Sequence, residues 1–149
     1  MDLKEISKSY YHMFQHHYVI NLTERPDRWT HITSELKKIG IDEPNRFSGI
    51  KSSPGIIGCG RSHLKCLRVA REKKYPYVTI FEDDACFLDP ETLLRQIKHI
   101  MNNETFDVLL CGYNAFKPHL AVSDNYIRVT RAYCGTMYIV KFHYYDTLI

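Results

Sequence analysis

Val78-Thr79-Ile80-Phe81-Glu82-Asp83-Asp84-Ala85-Cys86-Phe87 is the stretch that decides the fold of this 149-residue chain. An apolar, β-branched run reads as a buried strand, and three consecutive carboxylates stand where it ends. Adjacent acids repel one another, and their charge is costly to bury unless a cation neutralises it. The open end of a strand in an α/β sheet is also where ligands bind. Hard oxygen ligands at such a place suit Mg²⁺ or Mn²⁺ carrying a phosphorylated substrate. The alternative is a solvated acidic turn, since strand–acid–turn junctions are common.

Outward from this strand, helices and strands alternate. Residues 18–22 read as the first core strand, followed by the polar turn Thr23-Glu24-Arg25-Pro26-Asp27-Arg28. Thr23 is placed to cap the next helix and Pro26 suits its first turn. Trp29, Ile32, Leu36 and Ile39 recur at helical spacing until Gly40. Residues 46–50 read as a short strand, 52–60 as a Ser/Pro/Gly-rich loop, and 60–74 as a helix broken by Pro76. Asp89-Pro90 opens a further helix with Leu93, Leu94, Ile97 and Ile100 on one face. Strands are expected at 107–111, 127–130 and 137–140, and a helix from Phe142 onward. This alternation predicts a three-layer α/β/α sandwich with a mostly parallel sheet. Residues 1–16 read as an N-terminal arm or short helix, and 17–149 as one domain. The last helix is still apolar at Leu148 and Ile149, so the domain is expected to be C-terminally truncated and to self-associate as a homo-oligomer.

Composition sets limits. Hydrophobic residues make up 44% and charged residues 25%, ordinary for a globular protein, and the formal net charge is +3. The basic residues are dispersed and no nucleic-acid motif is present, so nucleic acid is not expected as a partner. The five cysteines, an odd number without a CxxC pair, argue against a disulfide framework or structural zinc. Most sit among apolar residues and are expected to be buried hydrophobes in a reducing compartment. No stretch is apolar enough to span a membrane and no signal peptide is legible, so the expected location is cytoplasmic. His12 and His16 have i,i+4 spacing, but no third ligand accompanies them, and a surface helix is the simpler reading.

Three segments in order resemble the family 25 glycosyltransferases, a group that includes lipooligosaccharide and procollagen galactosyltransferases. Val19-Ile20-Asn21-Leu22-Thr23-Glu24-Arg25-Pro26-Asp27-Arg28 is similar to the family's "INL…R.DR" segment. Gly55-Ile56-Ile57-Gly58-Cys59-Gly60-Arg61-Ser62-His63 is similar to its "G..GC..SH" segment, and Phe81-Glu82-Asp83-Asp84-Ala85-Cys86-Phe87 to its "EDD..F" element. A looser fourth match is Gly135-Thr136-Met137-Tyr138-Ile139-Val140, like "GT..Y.V".

The resemblance implies a GT-A fold, a UDP-galactose or UDP-glucose donor and a divalent metal, Mn²⁺ or Mg²⁺, at the "EDD" element. Asp84 is the first candidate for direct ligation, with Asp83 and Glu82 as ligands or as partners holding the ligand in place. Asn21, Leu22, Thr23 and Arg25 are expected to serve the donor. Arg28 either shares that role, a guanidinium fork suiting phosphate, or is a solvated helix residue paired with Glu24 or Asp27. Arg61, Ser62 and His63 are expected to open a helix whose N-terminus attracts phosphate. Ser62 suits a cap better than a nucleophile. His63 either reaches the donor or anchors its helix to the acidic loop. The implied reaction is inverting transfer of a hexose to a saccharide or hydroxylysine-type, collagen-like acceptor, with no residue assigned as general base. The alternative is a truncated, non-catalytic nucleotide-sugar-binding or interaction domain. A metal-dependent phosphotransferase is disfavoured because the chain has no P-loop.

Overall fold

The structure is a computed structural model that describes residues 10–123 and 126–149. The arm expected at the N-terminus therefore lies largely outside the described residues. Its last part, Tyr11–Phe14, is a 3₁₀ turn that buries Met13 and Phe14.

The elements that follow are β1 (His17–Asn21), α1 (Pro26–Lys37), β2 (Arg46–Ser48), α2 (Gly55–Glu72), β3 (Tyr77–Glu82) and α3 (Pro90–Asn103). Then come β4 (Val108–Ala115), a small hairpin of β5 (Leu120–Ala121) and β6 (Ile127–Arg128), β7 (Ala132–Lys141), a 3₁₀ turn (Phe142–Tyr144) and α4 (Tyr145–Leu148). The main sheet has the order β2-β1-β3-β7-β4. β1 pairs in parallel with β2 and β3, whereas β7 is antiparallel to both β3 and β4. Four of the five strands thus point one way. β7 is the exception because the chain returns to the sheet through the β5–β6 hairpin rather than through a crossover helix.

The period-2 alternation of buried strands divides the core into two layers. On one face Val19, Phe81, Met137 and Ile139 pack with Ile32 and Leu36 of α1 and Leu94 and Ile97 of α3. On the other, Tyr18, Val78, Ile80 and Val140 pack with Cys66, Leu67 and Ala70 of α2 and Tyr145 of α4. This is the α/β/α sandwich expected from the sequence. Local signals for α1 and α3 hold as well. Pro26 and Pro90 occupy their first turns, and the Asp89 side chain accepts from Thr92 N–H at 3.1 Å. Gly40 ends α1 at φ 84°, where other side chains are strained.

Several expectations need correction. Thr23 does not cap α1; Arg25 occupies that position without a side-chain cap, and the Thr23 hydroxyl lies 3.4 Å from that of Ser48. Of the expected 52–60 loop only 52–54 is loop; the rest is the beginning of α2, which starts at Gly55 behind Pro54. Arg61, Ser62 and His63 are therefore interior helical residues, and Ser62 is neither a cap nor part of a free helix N-terminus. The strand expected at 127–130 is reduced to two residues in the separate hairpin. Three of the five free cysteines, Cys59, Cys86 and Cys134, are exposed and only Cys66 is fully buried. Burial pushes the Cys66 and Cys111 thiols up to about 12, so these two are inert. The last residues turn back on the domain. Tyr145 is buried with its hydroxyl donating to Tyr75 O at 3.1 Å, and Ile149 packs on the α2 side. Phe142 and Leu148 keep substantial exposure. No described helix is long and apolar enough to cross a membrane.

Candidate functional site

β1, β2 and β3 are parallel, so Asn21, Ser48 and Glu82 end at the same edge of the sheet. A cleft of about 230 Å³ opens there between α1, α2 and the segment after β2. A larger cleft of about 860 Å³ follows the outer edge of β4, but none of the candidate residues reaches it. The convergence of charged groups, not size, makes the smaller one the candidate site.

The three carboxylates have separate environments: the alternation of β3 separates Glu82 from Asp83, and the chain then turns at Asp83 and Asp84. Ile80 faces the α2 layer and Phe81 the α1 layer. Glu82 then faces α2, accepting from His63 Nε2 at 3.0 Å. Asp83 turns toward α1, where Arg28 donates to its Oδ1 at 3.0 Å. Its Oδ2 accepts from Asn21 Nδ2 at 2.7 Å, and the residue is nearly buried. Asp84 is half exposed, with one oxygen 3.6 Å from Arg28. The acidic cluster is thus neutralised in part by the chain itself, and clustering alone does not require a metal.

Asn21 is a junction rather than a ligand waiting for a partner. Its amide also donates to Arg25 O at 3.1 Å, and its Oδ1 accepts from Arg46, whose guanidinium lies over the Trp29 ring at 4.9 Å. The loop after Asp84 is tied to α1 by His31, donating to Ala85 O at 3.1 Å, and by Glu35, accepting from Phe87 N–H at 2.8 Å. These bonds hold the loop before any ligand arrives, which lowers the ordering cost of binding.

On the α2 side, Ser62 Oγ accepts from Ile50 N–H at 2.8 Å and donates to Gly58 O at 2.7 Å. It fastens the segment after β2 to the helix. Gly58 permits that closeness, since a Cβ there would meet Ile50 O at 2.1 Å. His63 anchors α2 to the strand end: Nε2–H donates to Glu82 while Nδ1 accepts from the Tyr138 hydroxyl at 2.6 Å. Burial raises the Tyr138 phenol, which therefore keeps its proton. Cys59, one turn before His63, has its Sγ 3.8 Å from Glu82. Burial and then the Glu82 charge raise its thiol.

Of the sequence candidates, Asn21, Leu22, Arg25, Arg28, Ser62, His63, Glu82, Asp83 and Asp84 line this one cleft. Thr23 is exposed and outside it. Arg28 pairs with Asp83 and Asp84, not with Glu24 or Asp27. Arg25 takes Asp27 instead, at 2.9 and 2.7 Å, and its hydrogen bonds hold the Asp27 carboxyl down at about 2. Lys51 and Cys59 also line the cleft and were missed. Lys51 carried a faint signal, a basic residue just past a strand that ends at the ligand edge.

Residues 43–135 match the family described as "Glycosyltransferase family 25 (LPS biosynthesis protein)". The chain belongs to glycosyltransferase family 25. A Haemophilus influenzae relative named "Putative glycosyltransferase" is 31% identical over 110 residues, covering 60% of this chain and 39% of the relative. The chain thus spans about two-fifths of that relative's length. The family match contains the "G..GC..SH" and "EDD..F" segments. The segment 19–28 precedes it, and the Asn21–Asp83 and Arg28–Asp83 bonds join it to the same site.

Asp84 offers a half-exposed carboxylate at the cleft, and each Asp83 oxygen retains one lone pair beside its protein donor. An oxygen-only set with open positions fits a hard divalent cation such as Mn²⁺ or Mg²⁺.

Proposed function

We propose that this cleft binds the diphosphate of a nucleotide-sugar donor, UDP-galactose or UDP-glucose. The chain would then serve inverting transfer of the hexose to a saccharide or hydroxylysine-type acceptor. The observation that carries this reading is the tie between Asn21, Arg28 and Asp83. It brings guanidinium groups and carboxylates from separate segments around one cleft at the ligand-binding edge of the sheet. Family membership points the same way.

Arg25, Arg28 and Lys51 provide cationic donors for phosphate oxygens at the rim. Asp84, with Asp83 beside it, would hold Mn²⁺ or Mg²⁺, which when bound supplies Lewis-acid stabilisation of the leaving diphosphate. Asn21 keeps Asp83 oriented, and His63 holds Glu82 at the opposite wall. Backbone of the Gly49 to Ser52 segment, secured by Ser62, closes a third side.

Calorimetry of UDP with and without Mn²⁺ tests the reading. Mn²⁺ should strengthen UDP binding, and Asp84→Ala should abolish that gain without unfolding the chain, because Asp84 is exposed. UDP at about 100 times its Kd should stabilise the fold by about 2.7 kcal/mol. For a chain of this size that raises the melting temperature by roughly 5–11 °C. Absence of UDP binding refutes the donor site; equal affinity with and without Mn²⁺ refutes the metal. A transfer assay with UDP-galactose and UDP-glucose then separates catalysis from binding alone.

A further inference from the structure

Cys59 and His63 stand one turn apart on α2, and Glu82 closes β3 opposite them. We propose that these three side chains form a second metal site, one selective for Zn²⁺ and distinct from the oxygen ligands of Asp83 and Asp84. Their ligand atoms all lie within 4.8 Å of one another, the one such group among the described residues. A tetrahedral ion with Zn–ligand bonds of 2.0–2.3 Å separates its ligand atoms by about 3.3–3.8 Å. Glu82 Oε1 is already 3.0 Å from His63 Nε2 and 3.8 Å from Cys59 Sγ. Side-chain shifts of about an ångström or less therefore complete the triangle around an ion of that size.

The surroundings of His63 are those of a metal-binding imidazole. A ligating histidine usually donates its other ring N–H to a fixed acceptor, which sets the tautomer and the ring plane. Tyr138 Oη is 2.6 Å from His63 Nδ1, and the two rings stack at 5.6 Å between centroids. When Nε2 turns its lone pair to the ion, Nδ1–H donates to Tyr138 and the same contact is preserved. The neutral imidazole thus changes tautomer, its Nε2 proton being replaced by one on Nδ1 while the Tyr138 hydroxyl turns its own proton away, and on balance only the Cys59 thiol proton is released to solvent. All three ligands line the cleft, so the fourth position is left for water or an anion from that side.

Ligand chemistry selects the ion. One thiolate, one imidazole and one carboxylate suit borderline-soft Zn²⁺, and Co²⁺ as its spectroscopic stand-in, over Mg²⁺ or Mn²⁺. Cys86 also lies 3.8 Å from a histidine, His31 Nε2, but has no third ligand among the described residues.

The test is Co²⁺ titration of the reduced full chain, without nucleotide, followed by near-ultraviolet absorption. A thiolate-to-cobalt charge-transfer band should grow to one equivalent and be bleached by Zn²⁺. It should vanish in Cys59→Ser and persist in Cys86→Ser and Asp84→Ala. Cys59 is exposed, so an unchanged melting temperature in Cys59→Ser verifies the fold. The isosteric Tyr138→Phe should weaken Co²⁺ binding by about 10–100-fold. No band in the wild type, a band surviving Cys59→Ser, loss of the band in Asp84→Ala or Cys86→Ser, or unaltered affinity in Tyr138→Phe overturns the site. Because the readout needs no donor, failure here is independent of the UDP experiments.

Discussion

Replacing Gly58 with alanine should pry the segment after β2 away from α2. A Cβ at Gly58 would lie 2.1 Å from Ile50 O and 3.0 Å from Ser52 N, where ordinary contact begins near 3.4 Å. Both neighbours are backbone and cannot rotate aside, so the segment must retreat by more than an ångström, breaking the Ile50 N–H to Ser62 bond. Overpacking of this kind costs about 1–3 kcal/mol. The lost hydrogen bond adds about 0.5–1.5 kcal/mol. Against these stands a gain of about 1 kcal/mol for alanine over glycine in a helix. The net expectation is a loss of about 2 kcal/mol. Gly60, two residues on in the same helix, has nothing within 4 Å of its Cβ position, so Gly60→Ala should collect only the helical gain. The two variants should differ by about 3 kcal/mol, or roughly 6–12 °C in melting temperature. Thermal and urea unfolding measure this directly. UDP binding should weaken several-fold in Gly58→Ala alone, since the displaced segment borders the cleft. A Gly58→Ala protein as stable as Gly60→Ala would refute the close approach and the packing it implies.

Asp83→Ala should destabilise the chain by about 1–3 kcal/mol, because it removes one of the two acceptors of the Asn21 amide and the nearer carboxylate of Arg28; urea unfolding beside Asp84→Ala, which should be near neutral, checks the contrast. His17 sets an acid limit. Its Nε2 accepts from Asn45 N–H at 3.0 Å, its Nδ1 donates to Phe14 O at 2.7 Å, and burial lowers its pKa below the ordinary 6.5. The unfolded chain therefore takes up the proton first, so stability should fall as pH drops below about 6.5 and flatten once the folded residue also titrates. Melting from pH 8 to 5 should show this slope, and His17→Gln should reduce it; an unchanged slope assigns the acid sensitivity elsewhere.

The elements legible in the sequence are those whose signals are local. β1 and β3 announce themselves by apolar runs, α1 and α3 by 3.6-residue spacing with Pro26, Gly40 and Asp89 at their ends. The first turns of α2 were hidden because three glycines and Pro54 read as loop chemistry. The reason for Gly58 is the Ile50 carbonyl, a contact that exists only after folding. The direction of β7 was equally hidden. Alternation and burial look the same in a parallel and an antiparallel strand, and reversal depends on the hairpin before it.

The site follows the same division. That three acids gather at a strand end is local information, whereas the cation beside Asp83 comes from Arg28 in another helix, and charge repulsion alone cannot distinguish that partner from a metal. One further step was available from the residues. Once 77–82 is a strand with Phe81 toward one layer, Glu82 must face the opposite layer and Asp83 the first again. The Cys59–His63 spacing equals that of His12–His16, a pair that no third ligand accompanies in the sequence. The sequence hides it, because the glycines around Cys59 read as loop and Ser62-His63 as a helix start. Extending α2 to Gly55 puts both on one face, and alternation at the end of β3 turns Glu82 toward that face. The same two facts that correct the fold therefore assemble the thiol, the imidazole and the carboxylate, while Asp83 turns to the α1 side of the strand.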